Sequence, residues 1–328
     1  MTPSFPSSES VRRHFCWLGM AYLAMTAAFT AVAYIMQYAA LLWAPALLGT
    51  RWFPWAVSLL PLYGVGLPVL WLFLRRVPAS PHNSEYALGG TVAEKPAFGP
   101  GQWCILLVIS FGCMTAGGLA GNLIMAVLSE LMQYDYAFAL NSMVADTPVW
   151  FTFLCTCVCA PFGEELIFRK LLIDRTRRYG DLTAILLSGL LFGLFHGNLF
   201  QFFYAAAVGM VLAYVYTRSG SYLWCVAMHA AINFMGSVIT PALTAHLPAD
   251  LSSPLTPAAR VIYIVLLLWQ YGMLIAGIAL FRRCYPRRKL SPGCAGGAPI
   301  AEALANPGML ACMIIMLALV IVNLVPAR

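Results

Sequence analysis

Nine apolar runs follow one another along the chain, most of them about as long as a lipid bilayer is thick. They cover roughly 15–40, 53–74, 102–128, 148–175, 182–197, 199–217, 221–240, 261–281 and 308–326. About 20 apolar residues in a helix cross the hydrocarbon layer. The fifth and sixth runs are shorter and meet at His196-Gly197-Asn198, where the chain must turn tightly. Of 328 residues, 61% are hydrophobic and only 9% charged. Soluble domains carry about 25% charged residues. Water cannot be the solvent for so much apolar surface, and a bilayer can. The expected fold is therefore all-α: a polytopic transmembrane helix bundle of about nine spans, with any active site inside the bundle.

The net charge is +7. The cations fall in short clusters between apolar runs, which points to membrane anchoring and away from nucleic acid. With the N-terminus in the cytoplasm and alternating spans, the inside receives Arg12, Arg13, Arg75, Arg76, Lys95, Arg169, Lys170, Arg175, Arg177, Arg178, Arg218, Arg282, Arg283, Arg287, Arg288 and Lys289. Only Arg51, Arg260 and Arg328 fall outside. That bias predicts a cytoplasmic N-terminus and an outside C-terminus. Ala31-Val32-Ala33 resembles a signal-peptidase site, but the run stays apolar to about Ala46, which suits a retained first span. Polar stretches at 77–100 and 284–306 are expected to be cytoplasmic loops. The compact loops favour a bacterial plasma membrane, with membrane lipids as neighbours. The chain divides into N-terminal helices over 1–147, a chemistry-bearing core over 148–240 and C-terminal helices over 241–328.

Cysteines stand at 16, 104, 113, 155, 157, 159, 225, 284, 294 and 312, with no CxxC spacing. Cys155, Cys157 and Cys159 alternate along one presumed helix. They read as small buried side chains before they read as a thiolate metal site.

An ionisable group inside a bilayer is costly, so each one is a functional candidate. The apolar runs hold Glu130, Glu164, Glu165, Arg169, His196 and His229. Glu130 lies near a span end, where water is close. Glu164 and Glu165 are adjacent, hence about 100° apart around a helix, and cannot share one role. Glu165 is four residues before Arg169, the favoured order for an ion pair on one face. Glu164 is left without a local partner, and desolvation makes a carboxylate a better proton acceptor. His196 shares a face with Phe192, and His229 with Asn233. Taken singly, each of these pairs could be ordinary interhelical glue. Ser188 lies two turns from His196 and has no triad context.

Spacing brings the groups together. Gly180 is expected to stop one helix and Asp181 to N-cap the next. Glu164 lies sixteen residues before Gly180 and His196 sixteen after it, which sets both about 24 Å from the turn. A second turn at Ser219-Gly220 puts His229 and Asn233 about 14 and 20 Å along the next helix. Four polar side chains then converge at overlapping depths, and counting from cytoplasmic turns predicts that substrate approaches from the cytoplasm or laterally from lipid.

Glu164-Glu165-x-x-x-Arg169, Phe192-x-x-x-His196 and His229-x-x-x-Asn233 resemble, in order, the three motifs of the CAAX protease and bacteriocin-processing family, which includes type II CAAX prenyl endopeptidases. The resemblance covers about residues 148–240, and every signature position is filled. It implies an intramembrane endopeptidase acting on a peptide or lipidated protein. Glu164 would activate the attacking water and His196 help to hold it. His229 and Asn233 would stabilise the oxyanion, with Glu165, Arg169 and Phe192 supporting the site. No cofactor is firmly implied. Two histidines and a glutamate are also a set that zinc can use, which leaves a metalloprotease-like route open. A catalytically silent scaffold or bacteriocin self-immunity protein is one rival reading. A transporter or proton relay is another, and it would predict repeated halves that this sequence lacks.

Overall fold

In a computed structural model of the chain, residues 7–79, 98–134, 147–248, 255–285, 290 and 300–324 are described. The bulk of the loops at 77–100 and 284–306 falls outside these residues, as do Lys95, Arg287, Arg288, Lys289, Cys294 and Arg328. Among the described residues there is no strand. Seven helices are long and apolar enough to span a membrane. They are α1 (Ser8–Trp43), α2 (Phe53–Leu74), α3 (Pro100–Met132), α4 (Val149–Tyr179), α6 (Leu199–Ser219), α7 (Tyr222–Thr244) and α8 (Pro257–Cys284). Two shorter apolar helices, α5 (Asp181–Phe195) and α10 (Pro307–Val322), bring the apolar helices to the nine expected runs. A five-residue helix, α9 (Ile300–Leu304), precedes the last of them.

Successive helices run antiparallel, and side-chain contacts fix which ends coincide. His14 Nε2 lies 2.8 Å from the Arg175 carbonyl, and Arg175 Nε donates to the Val77 carbonyl at 3.1 Å. Arg12 donates to Ala305, Trp103 to Trp224, and Tyr214 packs on Tyr285. One end of the bundle thus gathers the start of α1, the end of α2, the α4–α5 turn, the α6–α7 turn and the end of α8. Arg12, Arg13, Arg75, Arg76, Arg175, Arg177, Arg178, Arg218, Arg282 and Arg283 all stand there, and we call it the basic end. Arg51 and Arg260 stand at the other.

At the α4–α5 turn Gly180 adopts φ 116°, a left-handed conformation that a side chain would resist. Gly180 itself caps α5. Asp181 is not the N-cap that its position suggested. Its side chain turns back to Arg177 at 3.3 Å and lies 3.9 Å from Arg218, a better use for a carboxylate that is 1% exposed. The second turn behaves as expected: Gly220 ends α6 at φ 65°, and the Ser221 hydroxyl caps α7 by accepting from Trp224 N.

The core nearer the basic end is tightly filled. Phe15 and Tyr22 of α1, Leu70 and Leu74 of α2, Leu172 and Tyr179 of α4 and Leu187 and Leu191 of α5 are each at most 3% exposed and pack these helices together. A second cluster joins α3, α6 and α7. Small residues permit the close approaches that helices in lipid rely on, as where Gly112 of α3 meets Gly277 of α8.

Candidate active site

The site is built on α4, and α4 is not a regular helix. Pro161 supplies no N–H and its ring crowds the preceding turn. Just before it, Leu154–Cys159 widens into π-helical turns, and Leu166–Leu171 does so again beyond the Glu164-Glu165 pair. Wide turns of this kind displace carbonyls from the regular ladder and recur at functional sites. Here neighbouring helices hold the α4 carbonyls. Tyr22 of α1 donates to Ile167 at 2.6 Å, Tyr63 of α2 to Cys159 at 3.2 Å and Ser188 of α5 to Phe168 at 2.8 Å. Asn233 of α7 donates to Thr156 at 2.7 Å, and Tyr222 of α7 to Phe162. Gly163 makes room for one of these donors, since a Cβ there would run into the Tyr63 ring.

This backbone aims the two adjacent carboxylates in different directions. Glu165 is fully buried. Its Oε2 lies 2.9 Å from Arg169 Nε, also fully buried, and its Oε1 accepts from His229 Nδ1 at 2.8 Å. Arg169 in turn donates to the Ser188 hydroxyl at 3.3 Å and stacks its guanidinium over the Phe192 ring at 4.5 Å. Ser188 is thereby committed to the Arg169 side chain and the α4 backbone. Glu164, 15% exposed, points the other way, and its Oε2 comes within 3.9 Å of His229 Nε2.

Phe192 is the hub between the imidazoles. Its ring meets His196 at 4.8 Å and His229 at 5.7 Å, both edge to face. His196 caps the end of α5, and its Nδ1 donates to the Phe192 carbonyl at 2.8 Å. That bond leaves Nε2 as the ring acceptor. On His229 the carboxylate of Glu165 takes Nδ1–H, so Nε2 is the atom left to face Glu164.

A cavity of about 970 Å³ opens between α1, α2, α4, α5, α6, α7 and α10. Glu164, Phe192, His196, His229 and Asn233 all line it, whereas Glu165 and Arg169 lie behind its wall. The motif residues are thus brought to one place, divided into a group that faces the cavity and a group that braces it. Sequence reasoning missed several lining residues: Tyr63, Gln201, Tyr204 and, from the last helix, Asn323, which donates to the Gly197 carbonyl at 2.7 Å. Nothing in their local sequence marks them, because each is a single polar residue in an apolar helix. A packed core lies between the α4–α5 turn and Glu164.

The donor set fits a metal ion poorly. Among the described residues no group of three or more His, Cys, Asp or Glu side chains is arranged to hold one. Glu164, His196 and His229 do not meet as a ligand set, nor do Cys155, Cys157 and Cys159.

A cavity holding one carboxylate and two imidazoles, sunk in a bundle of membrane-length apolar helices, defines an integral membrane protein with a site inside its helix bundle. Residues 146–235 match the family model described as type II CAAX prenyl endopeptidase Rce1-like. This stretch of α4 to α7 carries all three motifs, and it is under a third of the chain. No curated protein and no solved structure matches the chain.

Proposed function

We propose that this protein is an intramembrane endopeptidase that hydrolyses a peptide bond of a membrane-associated substrate with a water activated by Glu164. The observation that carries the reading is the contrast between two neighbouring carboxylates. Glu165 is neutralised in the wall by Arg169 and His229, while Glu164 faces the cavity that both histidines line, 3.9 Å from His229 Nε2.

The chemistry follows from the free atoms. A water between Glu164 and His196 can donate one proton to the carboxylate and the other to His196 Nε2, which turns a lone pair toward the substrate carbonyl. As the water oxygen bonds to that carbon, Glu164 takes the proton. The carbonyl oxygen becomes an oxyanion. Asn233 spends one amide N–H on Thr156 and keeps the second, and His229, when protonated at Nε2, offers another donor. In a site with little water each such donor counts for more than it would in solution. Collapse of the tetrahedral intermediate breaks the C–N bond, and the proton held by Glu164 passes to the leaving amine. Glu165, Arg169 and Phe192 act through the groups they orient.

The cavity lies among membrane-length apolar helices, and the matched family model is that of prenyl endopeptidases, so the substrate class we propose is a lipid-anchored or membrane-embedded peptide, prenylated substrates included. Residues 148–240 form the catalytic core, with 1–147 and 241–328 as its helical surround. We place the protein in a bacterial plasma membrane, with the basic end and the N-terminus in the cytoplasm.

The test is cleavage by detergent-purified protein of a fluorogenic panel, farnesylated CAAX peptides beside unmodified ones, with and without a strong zinc chelator. Glu164→Ala should lower cleavage by about 10²–10⁴-fold, and the chelator should leave wild-type cleavage intact. Loss with chelator would move the mechanism to a metal. Equal cleavage by wild type and Glu164→Ala would sink the reading.

A further inference from the structure

Several arginines at the basic end are spent inside the protein. Arg175 donates to the Val77 and Leu171 carbonyls, Arg12 donates to the Ala305 carbonyl, and Arg177 and Arg218 hold Asp181. Arg13, Arg75 and Arg76 are not spent in this way. All three are exposed, and among the described residues no carboxylate pairs with any of them. Two of them are held over indoles instead. The Arg75 guanidinium lies 3.8 Å from the centre of the Trp71 ring. That of Arg76 reaches from α2 across to α1, 5.5 Å from the centre of the Trp17 ring. Arg13 precedes Trp17 by four residues, so it shares that face of α1, ~6 Å nearer the helix end. One indole is therefore flanked by an arginine of its own helix and by one from the neighbouring helix.

We propose that the ends of α1 and α2 form a binding site for the headgroup of an anionic phospholipid, with Arg13 and Arg76 on its phosphate. Tryptophan rings settle at the depth of lipid headgroups. An arginine stacked on such a ring stands among phosphates, with less freedom to lose on binding. Its edge N–H groups remain free, in a planar fork that matches two phosphate oxygens. Arg75 on Trp71 adds a third positive charge beside the first two. Farther along the same helices the surface turns apolar, and Met20 of α1 and Leu72 of α2 are exposed there to acyl chains. That continuity favours a lipid over a free phosphate. A zwitterionic headgroup carries a cation of its own, which three unpaired arginines repel, whereas basic pockets between membrane helices on the cytoplasmic side suit anionic headgroups. The site does not rest on the peptidase reading.

The test titrates the delipidated full chain, in neutral detergent, with phosphatidylglycerol or with phosphatidylcholine of the same chains, and counts retained lipid by native mass spectrometry. Phosphatidylglycerol should bind the wild type at least about tenfold more tightly than phosphatidylcholine. The double variant Arg13→Gln/Arg76→Gln should lose about tenfold in phosphatidylglycerol affinity and leave phosphatidylcholine unchanged. Arg282→Gln/Arg283→Gln removes the same charge from two exposed arginines at the end of α8, and it should keep the wild-type preference. Inorganic phosphate should not displace the lipid, since it has no chains to bury. Equal binding of the two lipids by the wild type would overturn the proposal, and that comparison decides even if a variant fails to fold. An equal loss in the two double variants would reduce the effect to net charge and also overturn it. Displacement by inorganic phosphate would assign the arginines to free phosphate and overturn the lipid site.

Discussion

At the scale of single residues, the most constrained group is the buried set Glu165, Arg169 and His229. Charges taken out of water are tolerated only when they are paired, and here one carboxylate serves two partners. Removing one member leaves the others uncompensated. Arg169→Met should therefore destabilise the protein by about 3–5 kcal/mol, read as a large drop in the detergent unfolding temperature. Combining it with Glu165→Gln should recover part of that loss, because the stranded charge is gone. An additive double variant would mean that the two side chains do not act as a pair. Glu164→Ala, in contrast, should change the unfolding temperature little, since the side chain lines a cavity and the packed wall does not depend on it.

At the scale of elements, α4 owes its shape to its neighbours. Its wide turns hold their carbonyls toward Tyr22, Tyr63, Ser188 and Asn233, drawn from four different helices, and Tyr222 takes the Phe162 carbonyl between them. Tyr22 is the cleanest probe, being fully buried and outside the cavity lining. Tyr22→Phe leaves the Ile167 carbonyl without its donor, a cost of about 1–3 kcal/mol. Faster hydrogen exchange confined to 166–171, with a fall in kcat and little change in KM, is the expected signature. Unchanged exchange there would show that the bond does not hold the turn. The motif spacings were legible in the sequence because i, i+4 partners share a helical face: Glu165 with Arg169 and Phe192 with His196 are both in contact. The π-helical turns were not legible, since they arise where carbonyls find donors from other helices, and no local pattern encodes that.

At the scale of the molecule, the site extends past the region that matches the family model. α1, α2 and α10 complete the cavity, and α10 reaches the turn after His196 through Asn323 and Gly197, whose φ is +64°. Losing one neutral hydrogen bond costs about 0.5–1.5 kcal/mol. Asn323→Ala should accordingly lower kcat about two- to tenfold through His196 and leave KM nearly unchanged. A change in KM alone would assign Asn323 to substrate binding.

The apolar runs, their parity, the clustering of cations at one end and the three motifs could all be read from the chain, because membrane length, charge and helical period are local properties. Depth counted from the turns set Glu164, His196, His229 and Asn233 at overlapping depths, and all four line one cavity. Which carboxylate faces the cavity and which ring nitrogen stays free were decided only by tertiary structure. Each depends on side chains from helices far apart in sequence.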